Sequence, residues 1–300
     1  MTDLTIRGRS GSLGWWRFGV FAAPGLLVYG TLVAVPVALS LGYSLTDRNP
    51  FRPPATWVAF DNYRLLLTDP DFLRTLGNTA ILTLIVTIVP NVLGLAVALL
   101  LDRPARLYRW LRTVFFAPVV LSSVVVSVIW QALLNDGGLL NRALGEAGVG
   151  SPPGWLSDPD LALYSVGWII SWQMLGFCTV VYLAGLQGVP QSLREAAALD
   201  GAGPLRQFRA VTWPLLAPAV TINTVMLMIT GFKVYDHVQV ITNGGPGSGT
   251  TATIAFDIIR TGFTGNRVGY ASAMATVMLI VIAVVSAIAL RLLQRREVSL

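Results

Sequence analysis

The sequence predicts an all-α integral membrane protein with six transmembrane helices, and three observations lead there. Of 300 residues, 54% are hydrophobic and only 12% charged, about half the charge of a soluble domain. The charges are also segregated: no Asp, Glu, Lys or Arg falls within 18–45, 79–101, 113–134, 161–186, 215–232 or 270–290. Each of these stretches comes near or exceeds the roughly 20 apolar residues that a helix needs to cross about 30 Å of hydrocarbon.

Taken in order, the first stretch is far longer than the apolar core of a secretory signal, about 7–15 residues, so it is expected to remain attached as an anchor. Residues 1–17, with Arg7, Arg9 and Arg17, read as a disordered tail. Pro36 and Pro90 each remove a backbone donor and are expected to kink spans one and two. Before span two, Asp69 and Pro70 suit the cap and first position of a short surface helix leading into it. The run 102–112 alternates arginines with Leu, Tyr and Trp, which fits an amphipathic turn at headgroup level. Span three, 113–134, reads as a transmembrane helix. Span four holds the sole cysteine, Cys178, so no intramolecular disulfide can form. Span five, 215–232, is the shortest and contains Pro218, Asn223 and several threonines, so it is expected to lie against protein or a wet cavity. The membrane domain covers 18–293, and 294–300 form a second tail.

Basic residues set the orientation, because positively charged loops stay in the cytoplasm. Segments 1–17, 102–112, 187–214 and 291–300 hold 13 Lys and Arg, against 8 in the intervening segments. Both termini are therefore expected to be cytoplasmic. The net charge of +6 follows from this asymmetry, and basic residues scattered over four short membrane-edge segments do not make a nucleic-acid-binding face.

Several chemistries are excluded. The only lysine, Lys233, follows Phe232, whereas a phosphate-binding loop needs glycine directly before its lysine. The only histidine, His237, has no ligand-type neighbours at metal spacing, reads as a solvated loop residue, and leaves no Ser-His-Asp arrangement or GxSxG elbow to support hydrolysis. Proton-driven carriers place ionisable groups inside the bilayer, and these spans have none. The chain is thus expected to have no catalytic residue, metal or cofactor. It reads either as a channel or facilitator lined by neutral polar groups, or as a carrier whose energy enters from outside the membrane.

The segment 187–214 carries the strongest local signal. Ser192 and Glu195 have the S-x-x-E spacing of a capping box, which would start a helix at Leu193. Ala196, Ala197 and Ala198 favour helix and keep its surface thin, and Gly201 and Gly203 allow it to stop. Pro204 suits the first turn of a second helix over 205–211, closed by Pro214. A thin helix on a tight turn can insert into a groove of another protein, although the same pattern suits a plain interfacial hairpin.

This segment resembles the membrane permeases of binding-protein-dependent ABC importers. Their signature runs EAA, then DGA, then spaced apolar residues and Leu-Pro. Here it stands as Glu195-Ala196-Ala197, Asp200-Gly201-Ala202, Phe208, Val211 and Trp213-Pro214, with Trp213 and Val211 in place of the usual leucine and isoleucine. Residues 60–72 (FDNYRLLLTDPDF) and 240–247 (VITNGGPG) are similar to the carbohydrate branch of the family, in particular the larger maltose-transporter type. The resemblance implies a type I ABC importer permease fold in the bacterial inner membrane. It implies a second permease, an ATPase dimer that holds ATP and Mg, and an extracytoplasmic solute-binding protein. It implies sugar as cargo, and a coupling helix made of Ser192, Arg194, Glu195, Ala196, Ala197, Leu199, Asp200, Gly201 and Ala202. A self-sufficient channel would have no use for such a helix.

For the solute path, polar and aromatic residues of spans four and five are the candidates. Trp168, Trp172, Gln173 and Phe177 approximate one helical face, and Thr230, Gly231 and Tyr235 lie towards the outer end of span five. Rings beside neutral hydrogen-bonding groups suit a carbohydrate, and the same residues also suit helix packing with interfacial Trp and Tyr belts. Lys233 and Asp236 are expected to form an ion pair on the rim.

Overall fold

A computed structural model describes residues 13–103, 105–247 and 249–295, with side chains from residue 19 onward. The expected tails over 1–12 and 296–300 lie outside the described residues. Among the described residues, five helices are long and apolar enough to cross a membrane: Gly19–Tyr43, Pro70–Leu101, Ser123–Glu146, Ala162–Gln187 and Val268–Gln294. Pro204–Leu215 and Ala217–Phe232, bent by 62° where they meet, form a sixth when taken together.

Four elements differ from those expected. The first helix starts at Leu13, inside the expected tail. The surface helix and span two are one helix, Pro70–Leu101, which Asp69 caps by accepting from the Asp71 amide at 3.0 Å. The run 102–112 is not a separate turn, because a helix begins at Arg106 and continues to Val120, while Arg112 reaches back to the last carbonyl of span two, Leu101 O, at 2.6 Å. Span three is broken: after Pro118 the chain is extended at Leu121 and Ser122, and the Ser122 hydroxyl caps a new helix, Ser123–Leu134.

Prolines explain two further irregularities. Five-residue π turns, Gly30–Ala34 and Phe208–Thr212, stand just before Pro36 and Pro214. A proline cannot donate to the carbonyl one turn back and crowds it, and an extra residue in that turn moves the carbonyl away. Pro214 therefore does not close the second limb of the hairpin, which continues to Leu215 and bends at Leu216. Pro90 sits within an uninterrupted helix.

The core is the crossing of Pro70–Leu101 with Ala162–Gln187, against which Ala217–Phe232 packs. Leu82, Val86, Val166, Ile169, Ile170 and Tyr182 are buried there. Glycines permit the close approach, as small residues do between membrane helices. A Cβ on Gly94 would stand 2.5 Å from Cys178 Cβ, and one on Gly231 would stand 2.7 Å from Thr83 Cα. Cys178 is buried as expected.

Opposite the hairpin, the glycine-rich stretches 242–247 and 249–253 fold back onto span two. Asn78 Nδ2 donates to Gly249 O and Ala252 O at 3.2 and 3.0 Å, and the Ile254 amide donates to Thr79 Oγ1 at 2.9 Å. Thr75 donates to Asp257 at 2.6 Å, and burial raises the Asp257 carboxyl above its ordinary range. Tyr270 donates to Asp69 at 2.7 Å and holds that carboxyl below its ordinary range. Polar side chains thus fix the position of a loop that has no regular structure of its own.

Candidate functional site

Two regions bring together the residues singled out in the sequence. The first is the hairpin. Its helix runs Gln191–Leu199 from Pro190, without a side-chain cap. The expected Ser192–Glu195 capping box is absent, because starting at Gln191 puts Ser192 second and Glu195 fifth, past the position that reaches back. Glu195 instead accepts from Gln191 Nε2 at 2.7 Å.

The end of this helix forms as expected. The Ala202 amide donates to Ala197 O and the Gly201 amide to Ala198 O, both at 3.0 Å. Gly201 has φ 74°. These are the two hydrogen bonds and the left-handed residue of a Schellman stop. The second limb starts at Pro204, and Gln207 Nε2 donates to Ala202 O at 2.7 Å, bracing the turn. Arg194 is half-buried and donates to Leu186 O at 3.1 Å, tying the hairpin helix to the end of span four. Ser192, Glu195, Ala196, Asp200 and Gly201 are exposed, and Ala197 and Ala202 half-buried. Leu199 is 90% exposed, an apolar side chain standing off the surface.

The second region is a cavity of about 320 Å³ between spans four and five and the short helix Asp236–Ile241. Of the expected path residues, Thr230 and Tyr235 line it. Trp172 turns away, stacking edge-on against Trp130 with centroids 5.4 Å apart. Gln173 is buried. Phe177 is half-buried against the core. Gly231 is buried where span five crosses span two. Trp168, Trp172, Gln173 and Phe177 do not share a face, because adjacent helical residues point about 100° apart. The structure exposes Trp168 and buries Gln173 accordingly.

A polar residue that lines this cavity was not among those expected. His237 is buried, not solvated, and its Nε2 lies 2.8 Å from Gln173 Oε1. Burial lowers its pKa from 6.5 to about 4, so the ring is neutral at pH 7. A signal was present, since Val234, His237, Val238 and Ile241 have the i, i+3, i+4, i+7 spacing of one helical face, and all four are buried. Lys233 and Asp236 line the cavity as well. They do not form the expected ion pair, and the ion pairs among the described residues are Arg64–Asp61, Arg74–Asp71 and Arg260–Asp257. The cavity therefore offers both donors and acceptors. No group of three His, Cys, Asp or Glu suited to a metal occurs among the described residues.

Residues 71–298 match the family model described as binding-protein-dependent transport system inner membrane component. The chain is 32% identical to the probable starch degradation products transport system permease protein of Thermoanaerobacterium thermosulfurigenes, covering 96% of this chain and 97% of that one. It is 31% identical to a diacetylchitobiose uptake system permease protein of Streptomyces coelicolor, covering 90% and 80%. The fold is similar to a bacterial ABC transporter involved in the import of the acidic polysaccharide alginate, with TM-score 0.79 and 21% identity over 93% of this chain and 96% of that one. With the helical membrane fold, the EAA–DGA hairpin and a match spanning most of its length, the chain belongs to the binding-protein-dependent transport system inner membrane components, as a multi-pass permease subunit of an ABC importer and not an enzyme.

Proposed function

We propose that this permease forms, with a second permease, the path by which a mono- or oligosaccharide crosses the inner membrane, driven by a separate ATPase dimer that binds ATP and Mg. An extracytoplasmic solute-binding protein delivers the cargo, both termini face the cytoplasm, and the hairpin over 187–214 docks in a cleft of the ATPase. The observation that carries the reading is the rigid, exposed hairpin helix, stopped by Gly201 and tied to span four by Arg194, with Leu199 presented for a partner. Burial of one leucine in a partner cleft is worth about 1.5–3 kcal/mol, and Arg194 passes movement of the helix directly to span four. Saccharide as cargo is supported by the hydrogen-bond donors and acceptors around the cavity, the neutral Ser123, Thr230, Tyr235 and His237 beside one charge of each sign at Lys233 and Asp236, and by the relatives named for starch products and diacetylchitobiose.

Two measurements test it. In a Cys178→Ser background, a thiol-specific cross-linker placed at Leu199→Cys should join the permease to the ATPase chain of the co-expressed complex. Vesicles holding that complex and its binding protein should take up labelled maltotriose, maltose or diacetylchitobiose. Cross-links only to lipid or to a second copy of this chain would refute the docking, and uptake confined to sn-glycerol 3-phosphate would refute the saccharide.

A further inference from the structure

A chain of hydrogen bonds runs from the break in span three to the cavity, and its polarity can be read from its first member. Where the helix stops at Val120, Leu121 O has no amide one turn ahead to accept from. Gln173 Nε2 donates to it at 3.0 Å. The opposite placement of the amide would set two acceptors, Gln173 Oε1 and Leu121 O, against each other, so the carbonyl fixes the orientation. Gln173 Oε1 therefore faces His237 Nε2 at 2.8 Å. A carboxamide oxygen only accepts, so Nε2 must carry the proton, and a neutral ring then leaves Nδ1 as a bare acceptor. Among the described residues Nδ1 has no hydrogen-bond partner, and His237 lines the cavity.

We propose that His237 Nδ1 is a hydrogen-bond acceptor for a hydroxyl group of the transported solute, and that Gln173 is the positioning residue that holds the ring in the tautomer presenting it. The inference rests on the saccharide reading above and sharpens it. A lone pair facing the cavity suits a neutral polyol, whose hydroxyls donate, and disfavours an anionic group, which has only acceptors to offer. Asp236, beside it, has the same preference, while Lys233 supplies donors for the oxygens that remain. Gln173, first read as a solute contact, thus acts through His237 from a buried position.

The single histidine makes the test direct, because labelling the permease with [15N]histidine in its complex reports one ring. At pH 7 the wild type should show the Nε2–H tautomer with Nδ1 unprotonated, and Gln173→Leu should lose that fixed state. His237→Gln keeps an amide N–H near the position of Nε2 but has no acceptor at Nδ1. It should raise the half-saturating maltotriose concentration by roughly 2–10-fold, the worth of one hydrogen bond, with the maximal rate little changed. His237→Asn, which can place an oxygen near Nδ1, should restore half-saturation towards wild type. An Nδ1–H or mixed tautomer in the wild type would overturn the role of Gln173. Equal half-saturation for wild type and His237→Gln, at equal amounts of assembled complex, would overturn the contact. If the wild type takes up no maltotriose, maltose or diacetylchitobiose, the saccharide reading fails and the contact with it, while the tautomer alone decides whether Gln173 sets the ring.

Discussion

Gly201 is the position where a single change should separate the coupling of this permease from its folding. Its φ of 74° lies in the left-handed region, and a Cβ added there would meet nothing within 4 Å. A substitution therefore costs backbone energy alone. That energy is about 1–2 kcal/mol for an ordinary L-residue and is greatest for a β-branched one, whereas asparagine visits this region readily. Gly201→Val should thus shift the hairpin's population away from the Schellman-stopped form by about 5–30-fold, while Gly201→Asn should leave it nearly unchanged. The assay is uptake and ATP hydrolysis side by side in vesicles holding the full complex with its loaded binding protein. Gly201→Val is expected to lose most uptake per ATP hydrolysed at normal membrane abundance, with Gly201→Asn close to wild type. Equal coupling for glycine, asparagine and valine would show that the left-handed backbone at Gly201 is not needed for coupling, and equal loss in both variants would place the effect in side-chain bulk instead.

Two further outcomes follow from the buried groups. Gly231→Val should lower the thermal stability or the amount of assembled permease by the 1–3 kcal/mol typical of overpacking, because its Cβ meets Thr83 Cα. The half-saturating solute concentration of what does assemble should stay unchanged, and a shifted half-saturation at normal stability would return Gly231 to the solute path. His237 is neutral in the fold with a pKa of about 4, against 6.5 when exposed, so the unfolded chain binds the extra proton between those values. Its contribution to stability is therefore complete above pH 6.5 and falls as the pH drops towards 4, by at most ~3 kcal/mol at 1.36 kcal/mol per pKa unit. Thermal unfolding of the solubilised chain at pH 7 and pH 5 should show the loss in the wild type and a smaller one in His237→Asn, and identical pH dependence in both would contradict the buried neutral ring.

The helical membrane fold was legible because crossing hydrocarbon forbids charge, and the uncharged stretches mark that constraint without reference to any contact. Breaks within the spans were harder to see. The interruption at Leu121 and Ser122 leaves the apolar run intact, because its signals, Pro118 and the capping Ser122, carry no charge. Likewise Pro214 reads as a stop because the sequence does not reveal that a π turn can accommodate it. In the hairpin, Gly201 was read correctly from backbone freedom, whereas the Ser192–Glu195 box failed because Pro190 starts the helix two residues earlier. The cavity was half legible. Thr230 and Tyr235 follow from their place near the end of span five, but the role of Gln173 depends on a carbonyl 52 residues away, a distance that no local pattern encodes.

On the proposed function, this chain is a passive path whose energy arrives through the hairpin over 187–214. The most direct measurement compares labelled maltotriose flux in vesicles holding the purified permease alone with flux in vesicles holding the full complex and its binding protein, with and without ATP. Flux is expected only from the full complex with ATP, and flux from the permease alone would contradict a passive path.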